Sequence, residues 1–410
     1  MPDHVSIASL YRQHAPRVLA TLIRHLGDFD AAEEALHDAF TAAVSRWPEE
    51  GMPDAPVAWL IRVGQRRGID QIRRRQTARQ HAHLLVPDEG EAEAEGNRNI
   101  QDDLLRLLFI CCHPILSMPD RLALTLREMA GLTTEQVASA LLQRPAALAQ
   151  RIVRAKRRLR TAGIPFDVLE AADLPVRLPG VLGVIYLIFN EGYSPSRGER
   201  VVDVRLADEA IRLGESLAGL LPRGEVFGLL ALMHLHHARR EARQDDHGEL
   251  VPLEEQDRRR WDVGEIEIGH AWLERALALS PVGAYTLQAS IAAVHAEAPR
   301  AEVTDWGRIV RLYEALLRVQ PSPVIELNRA VAVAMRDSPD VGLVLLDRLS
   351  QRHRLDHYPL FHAARADLHR RAGHLEAARQ AYRQALALSL QEPERRLLAR
   401  RLEALVGAGD

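Results

Sequence analysis

Cysteine is nearly absent from this chain: there are two in 410 residues, Cys111 and Cys112, and they are adjacent. On a helix, neighbouring side chains diverge by about 100°, which excludes an ordinary intrachain disulfide framework. Buried packing thiols in a reduced compartment are the expectation, and Cys-Cys-His113 supplies no metal-ligand set. Lysine is rarer still, with Lys156 the only one among 53 basic residues. Long apolar runs are missing too. The longest, Val181 to Phe189, falls far short of the roughly 20 residues needed to cross a bilayer. Met1 to Leu10 lacks the basic-then-apolar order of a signal peptide. A cytoplasmic protein without a membrane span is expected. No nucleophile–base pair, phosphate-cradling glycine loop or zinc-protease motif occurs, so neither an enzyme nor a cofactor is expected.

What is present is positive charge in two places. The net charge is only −3, yet seven arginines face one acid between Arg62 and Arg79, and six arginines with Lys156 face none between Arg144 and Arg160. Such patches are the footprint of a phosphate-backbone binder. A chain of this length that is 47% hydrophobic can bury two or three cores.

Periodicity predicts helices nearly throughout. From Ile7 to Arg79 the apolar spacing is helical, with breaks at Gly27-Asp28 and in the proline-containing loop Trp47–Pro56. Val86 to Asn99 is acidic and poor in large apolar residues, which is linker composition. In the next segment Leu122, Leu126 and Met129 share a face, Gly131 supplies the stop, and Thr133-Thr-Glu-Gln136 fits a capping box. A short helix to Leu142 follows. Pro145 then opens a helix with Leu148, Ile152, Ala155 and Leu159 as its buried stripe and Gln150, Arg151, Arg154 and Arg158 pointing away from it. This is a helix-turn-helix pattern with a basic second helix. Like charges three and four residues apart weaken a helix unless a polyanion neutralises them. On the earlier helix, Asp30, Glu34 and Asp38 stack at i, i+4, i+8, while Ala32, Leu36, Phe40 and Val44 line another face, toward the core. Asp38 lies beyond the turn where the macrodipole favours acids, so a basic protein partner is the better explanation.

In order, these features resemble the extracytoplasmic-function sigma factors of the sigma-70 family. Leu10-Tyr-Arg-Gln-His-Ala-Pro-Arg-Val-Leu19, Asp30 to Phe40, Trp59-Leu-Ile-Arg-Val63 and Asp70-Gln-Ile-Arg-Arg-Arg75 look like region 2. Gly131 to Ala138 with Ala149 to Leu159 looks like region 4. The resemblance implies that Asp30, Glu33, Glu34 and Asp38 bind the β′ clamp helices of core RNA polymerase, with the β flap a further contact. It implies that Trp47, Trp59, Arg62, Arg66, Arg67 and Arg73, with the Trp47–Pro56 loop, serve the −10 region of promoter DNA. Arg144, Ala147, Gln150, Arg151, Arg154 and Lys156 fall to the −35 element. Arg66 stands where the family usually has Asn, and Pro56-Val57 replaces a small-polar and Phe pair.

The remaining residues resemble the tetratricopeptide-like extension of one sigma subgroup, on Tyr186-Leu-Ile-Phe-Asn-Glu-Gly-Tyr193, Leu253 to Arg258, Arg260-Trp-Asp262 and Asn328 to Val333. Gly269 to Pro281, Tyr313 to Pro321 and Gly373 to Leu388 close similarly, as degenerate helical hairpins. The expected fold is therefore all-α, with region 2 over 1–80, a linker over 81–101, region 4 over 102–163 and the extension over 170–410. The extension is expected to contact regions 2 and 4 and regulate them in cis. His234, His236 and His237 read as packing residues, Asn190 to Tyr193 as a glycine-capped helix end, and Asp245 to Gly248 as a turn. Glu254, Glu255 and Asp257 beside Arg258–Arg260 read as a solvated or docking charge cluster. The rival reading is a helix-turn-helix regulator or tetratricopeptide scaffold that never binds polymerase. An enzyme hosted by residues 170–410 is a third.

Overall fold

Helical spacing becomes an all-α fold in the computed structural model, which describes residues 7–77, 96–130, 132–141, 143–163, 174–193, 204–389 and 391–407. Among these residues there is no β-strand, only isolated bridge residues, among them Gln244 paired with Leu250. The chain divides into two compact units, Met1–Leu187 and Ile188–Asp410.

The first unit begins with α1 (Ile7–Leu26), α2 (Phe29–Glu50) and α3 (Pro56–Thr77). Gly27 ends α1 at φ 68, and the Asp28 carboxylate caps α2 by accepting from the Ala31 N–H at 2.9 Å. A row of alanines on α2, including Ala31, Ala32, Ala35 and Ala39, is buried, so neighbouring helices approach closely. Gly68 of α3 lies at this approach, where a Cβ would stand 2.5 Å from Leu26 Cδ1 and 3.3 Å from Ala35 Cβ. Two expectations change. Pro48 does not break α2, which runs on to Glu50 and ends at Gly51, φ 83, so the connecting loop is shorter than Trp47–Pro56. A proline so near a helix end removes one backbone hydrogen bond, and the buried Trp47 beside it anchors the turn. Val44 is 54% exposed, so the core-facing side of α2 leaves it out and continues through Ala43 and Trp47.

Helix α4 (Gly96–Cys111) starts inside the expected 81–101 linker, whose residues 81–95 lie outside the described ones. It packs on α1, where the fully buried Asp103 carboxylate takes Arg24 at 2.9 Å and Arg106 at 3.1 Å. Cys111 and Cys112 are buried free thiols, and burial pushes the Cys112 thiol up to about 12, which keeps it unreactive near neutral pH. Then come α5 (Met118–Glu128), α6 (Thr134–Ala140) and α7 (Pro145–Thr161), packed on one another. The capping box forms reciprocally: Gln136 N–H donates to Thr133 Oγ1 at 3.2 Å, and Thr133 N–H to Gln136 Oε1 at 2.8 Å. Gly131 and Leu142 lie outside the described residues.

The division between units falls within α8 (Leu174–Tyr193), later than the expected 170. This helix is long and apolar enough by composition to span a bilayer, a test that core helices of soluble proteins also pass. It runs through Gly192 to Tyr193, so Gly192 is a helical residue and not a cap.

The second unit contains α9 (Val204–Leu220), α10 (Gly224–His237), α11 (Val263–Leu277), α12 (Ala284–Glu297), α13 (Trp306–Val319), α14 (Pro323–Arg336), α15 (Pro339–Arg352), α16 (Pro359–Arg371), α17 (Leu375–Leu388) and α18 (Glu392–Gly407). From α11 onward each helix packs on the next in sequence, and α10 packs on both α11 and α12. Ser322-Pro323 and Ser338-Pro339 open two of them, each serine hydroxyl accepting a backbone N–H and each proline sitting where none is needed. The 245–248 turn forms as expected, Asp245 Oδ1 accepting from the His247 and Glu249 N–H groups at 2.9 Å. Glu254 and Glu255 dock on the last helices through Arg371 at 2.7 Å and Arg401 at 2.8 Å.

Candidate protein and nucleic-acid interfaces

The buried stripe of α7, Leu148, Ile152, Ala155 and Leu159, fixes which of its side chains face solvent. Ala147, Gln150, Arg154 and Arg157 are exposed away from it, and Arg144, the N-cap residue, is exposed at the start of the helix. Arg151 and Arg158 are drawn to Asp120 at the start of α5, at 3.2 Å and 3.4 Å. The basic face is thus narrower than the sequence implied: Arg144, Gln150 and Arg154 stand outward, and Arg151 is already paired.

Lys156 is the largest departure from the expected set. It is 6% exposed, with Nζ 2.7 Å from Glu33 Oε1 and 3.0 Å from Glu128 Oε1, and 5.6 Å from the Phe29 ring centroid. In this arrangement it faces protein, not solvent, so it offers no phosphate contact. Burial works against its charge, but the Glu128 and Glu33 carboxylates outweigh that and raise its pKa. Burial holds Glu128 above the usual carboxylate range, and Lys156 offsets this only in part. The compact ammonium, with three donors, reaches both carboxylates at once.

The start of the acidic helix α2 meets this basic helix. Asp30 is exposed and lies 2.5 Å from Arg160 Nη2, with Asp28 3.5 Å from Arg160 Nε. Glu34 is exposed, and Asp38 lies 3.8 Å from Arg67. Of the four expected carboxylates, Asp30 and Glu33 therefore meet α7, and Asp38 meets α3. Beside them is a cleft of about 360 Å³ lined by Tyr11, Leu19, Glu33, Glu34, Asp38 and Arg127, among others. Sequence reasoning missed Asp120, Glu128 and Arg160. Glu128 sits on the face opposite solvent in α5, and only the crossing of α5, α2 and α7 gives it a partner.

On α3, Arg62, Arg66, Arg67 and Arg73 are all exposed. Trp47 is 8% exposed and packs on Trp59, ring centroids 5.3 Å apart. Trp59 is half-buried, so of the two expected tryptophans it is the one that reaches the surface, while Trp47 supports it from the core. Among the described residues no group of three or more His, Cys, Asp or Glu side chains is placed to hold a metal ion.

Comparison with known proteins gives this arrangement a context. Residues 10–78 match the model of sigma-70 region 2, and residues 177–277 match a family described as of unknown function, DUF6596. The chain is 43% identical over 397 residues to the uncharacterized protein R00370 of Rhizobium meliloti (strain 1021), covering 95% of this chain and 93% of that protein. It is 26% identical over 176 residues to the probable ECF RNA polymerase sigma factor SigI of Mycobacterium tuberculosis (strain ATCC 25618 / H37Rv), covering 42% of this chain and 60% of that one.

Proposed function

Since this chain belongs to the sigma-70 family, as an extracytoplasmic-function sigma factor with a C-terminal extension, we propose that it binds core RNA polymerase through the acidic face of α2 and directs it to promoters. The family is non-enzymatic, and no chemical step is assigned to this chain. Asp30, Glu33, Glu34 and Asp38 take the β′ clamp helices, with the β flap as the second polymerase contact. The α6–turn–α7 segment acts as a helix-turn-helix, with Arg144, Ala147, Gln150, Arg151 and Arg154 toward the −35 duplex. Trp59 and the arginines of α3 hold the −10 region, where aromatic stacking and backbone neutralisation stabilise opened strands. The extension, read as tetratricopeptide-like, regulates the placement of the two DNA-binding parts in cis.

The observation that carries this reading is the acidic row on α2, inside the residues that match region 2. A stand-alone repressor has no use for it. In this conformation Lys156 and Arg160 occupy Glu33 and Asp30, so polymerase docking exchanges internal cations for those of the partner.

Pull-down with core polymerase, followed by run-off transcription from the protein's own promoter, is the direct test. Glu34→Lys with Asp38→Lys is expected to abolish polymerase binding with helicity intact. Unchanged affinity would remove the polymerase assignment, and duplex binding without any polymerase binding would support the regulator instead. Truncation after Gly163 is expected to change promoter-dependent transcription severalfold. Transcription equal to that of the full chain would refute regulation in cis.

A further inference from the structure

Stretches far apart in sequence converge in the second unit on a cluster that the polymerase reading does not use. Tyr193 ends α8, Arg239 and Arg243 follow α10, Arg258 and Trp261 precede α11, and His236 and His295 complete the group. Arg239 Nε donates to the Tyr193 hydroxyl at 2.6 Å, and the Arg243 guanidinium lies 3.8 Å from the Tyr193 ring centroid. The guanidiniums of Arg258 and Arg239 lie 4.5 Å and 5.8 Å from the Trp261 ring centroid. Arg258 also donates to the backbone carbonyls of His295 and Ala298.

Two features set this cluster apart from the many ion pairs around it. Among the described residues none of Arg239, Arg243 and Arg258 is in an ion pair, whereas neighbouring Arg240 holds Asp262 at 3.0 Å. Glu394 and Glu302 act on Arg243 and Arg258 only through space. Several polar nitrogens here are also buried without a hydrogen-bond partner: Arg243 Nε, Arg258 Nε, Trp261 Nε1, His236 Nδ1 and His295 Nδ1. Arg243 is 7% and Trp261 4% exposed, so water does not easily satisfy them.

Guanidiniums cannot shed their charge, and gathering three of them away from water is costly unless something negative joins them. Buried unsatisfied donors in a native fold call for a partner of their own, often an ion. The histidines do not add to the positive charge: burial, then Arg239 and Arg258, pull His295 down to about 3, and His236 is likewise held well below its usual value. Neutral imidazoles can still donate from Nδ1. A cation is repelled here, and a site this enclosed excludes a duplex.

We propose that the extension carries a binding site for a small oxyanion, a phosphate or carboxylate group, held by the N–H groups of Arg239, Arg243 and Arg258 that the protein leaves unused, with Trp261, His236 and His295 as further donors. Entry is from the side of His236, His295, Arg239 and Arg258, which are half-buried. The proposal is independent of polymerase binding.

The test uses the full chain in chloride buffer at constant ionic strength, titrated calorimetrically with inorganic phosphate and, separately, with succinate. Saturable one-to-one binding of at least one probe is expected, with Kd below about 1 mM. Binding should weaken at least tenfold in Arg258→Gln and stay unchanged in Arg240→Gln. Tighter binding of phosphate identifies a phosphoryl ligand, and tighter binding of succinate a carboxylate. Absence of saturable binding to the wild-type chain overturns the proposal whether or not any variant folds, as does equal binding by wild type and Arg258→Gln. An ultraviolet difference spectrum showing Tyr193 ionised at neutral pH, lost in Tyr193→Phe, also overturns it, because the tyrosinate then supplies the anion.

Discussion

Lys156 and Glu33 form an ion pair, Nζ to Oε1 2.7 Å, that joins the basic helix α7 to the acidic helix α2. Helices that the sequence assigns to different partners, DNA and polymerase, are thereby held against each other. The more deeply buried half of the contact is Glu128, 4% exposed, at 3.0 Å from the same ammonium.

Removing the lysine strands Glu128 without a counter-charge. Lys156→Ala is expected to destabilise the first unit by about 3 kcal/mol, the usual scale for breaking a buried pair from one side. The double change Lys156→Met with Glu128→Met removes both charges and is expected to recover most of that loss. Urea unfolding of the three proteins checks it. A double variant no more stable than Lys156→Ala would mean that the site depends on its charges, not on packing.

Arg151 and Arg154 stand one turn apart on α7 but in different states: Arg151 holds Asp120 at 3.2 Å, and Arg154 is exposed. Arg154→Ala is expected to weaken −35 duplex binding about tenfold if it reads a base edge. If it only neutralises a phosphate, the salt slope should fall by about one unit. Arg151→Ala should weaken duplex binding less and lower the melting temperature more. Fluorescence anisotropy across a salt series, with thermal unfolding of each variant, separates the two. The reverse order would mean that the Asp120 pair opens on DNA.

In the second unit, α10 and α12 cross at Gly228, where a Cβ would stand 2.5 Å from Thr286 Oγ1 and 2.6 Å from the Thr286 backbone nitrogen. Backbone on the far side cannot yield as a side-chain tip can. Gly228→Ala is expected to cost about 2 kcal/mol or more. Chemical denaturation monitored at the tryptophans would report it, and a loss below a few tenths of a kcal/mol would contradict this crossing.

His295 gives the extension a pH dependence with a definite sign. Burial, Arg239 and Arg258 hold it at about 3 in the fold, against 6.5 for a free imidazole. Between those values the unfolded chain binds a proton that the folded one refuses, so stability falls as pH drops below 6.5 and is level above it. The slope is on the order of 1 kcal/mol per pH unit. In phosphate-free buffer, wild type should lose more stability than His295→Gln between pH 7 and pH 5, because carboxylates titrate alike in both. Identical losses would place a protonated imidazole at this position.

Much of this protein is legible without coordinates, because helix formation is local. The helix break at Gly27-Asp28, the Thr133–Gln136 capping box, Pro145 at the first turn of α7 and the Leu148–Leu159 stripe depend on residues a few positions apart, and all form. Local rules also mislead in definite ways. Pro48 reads as a breaker, yet α2 passes it, and Val44 continues the apolar spacing of α2 but finds no helix to cover it.

What the sequence alone determined is the all-α class, the order of the acidic and basic helices, and the resemblance carried by their motifs. Only the tertiary structure decided which charges are available. Whether a cation meets solvent or a carboxylate depends on helix crossings between residues more than a hundred positions apart, such as Glu33 with Lys156 and Asp30 with Arg160. No periodicity records those crossings. For the same reason Lys156 reads as one more basic residue in sequence, while in the fold it is the buried centre of a three-helix contact.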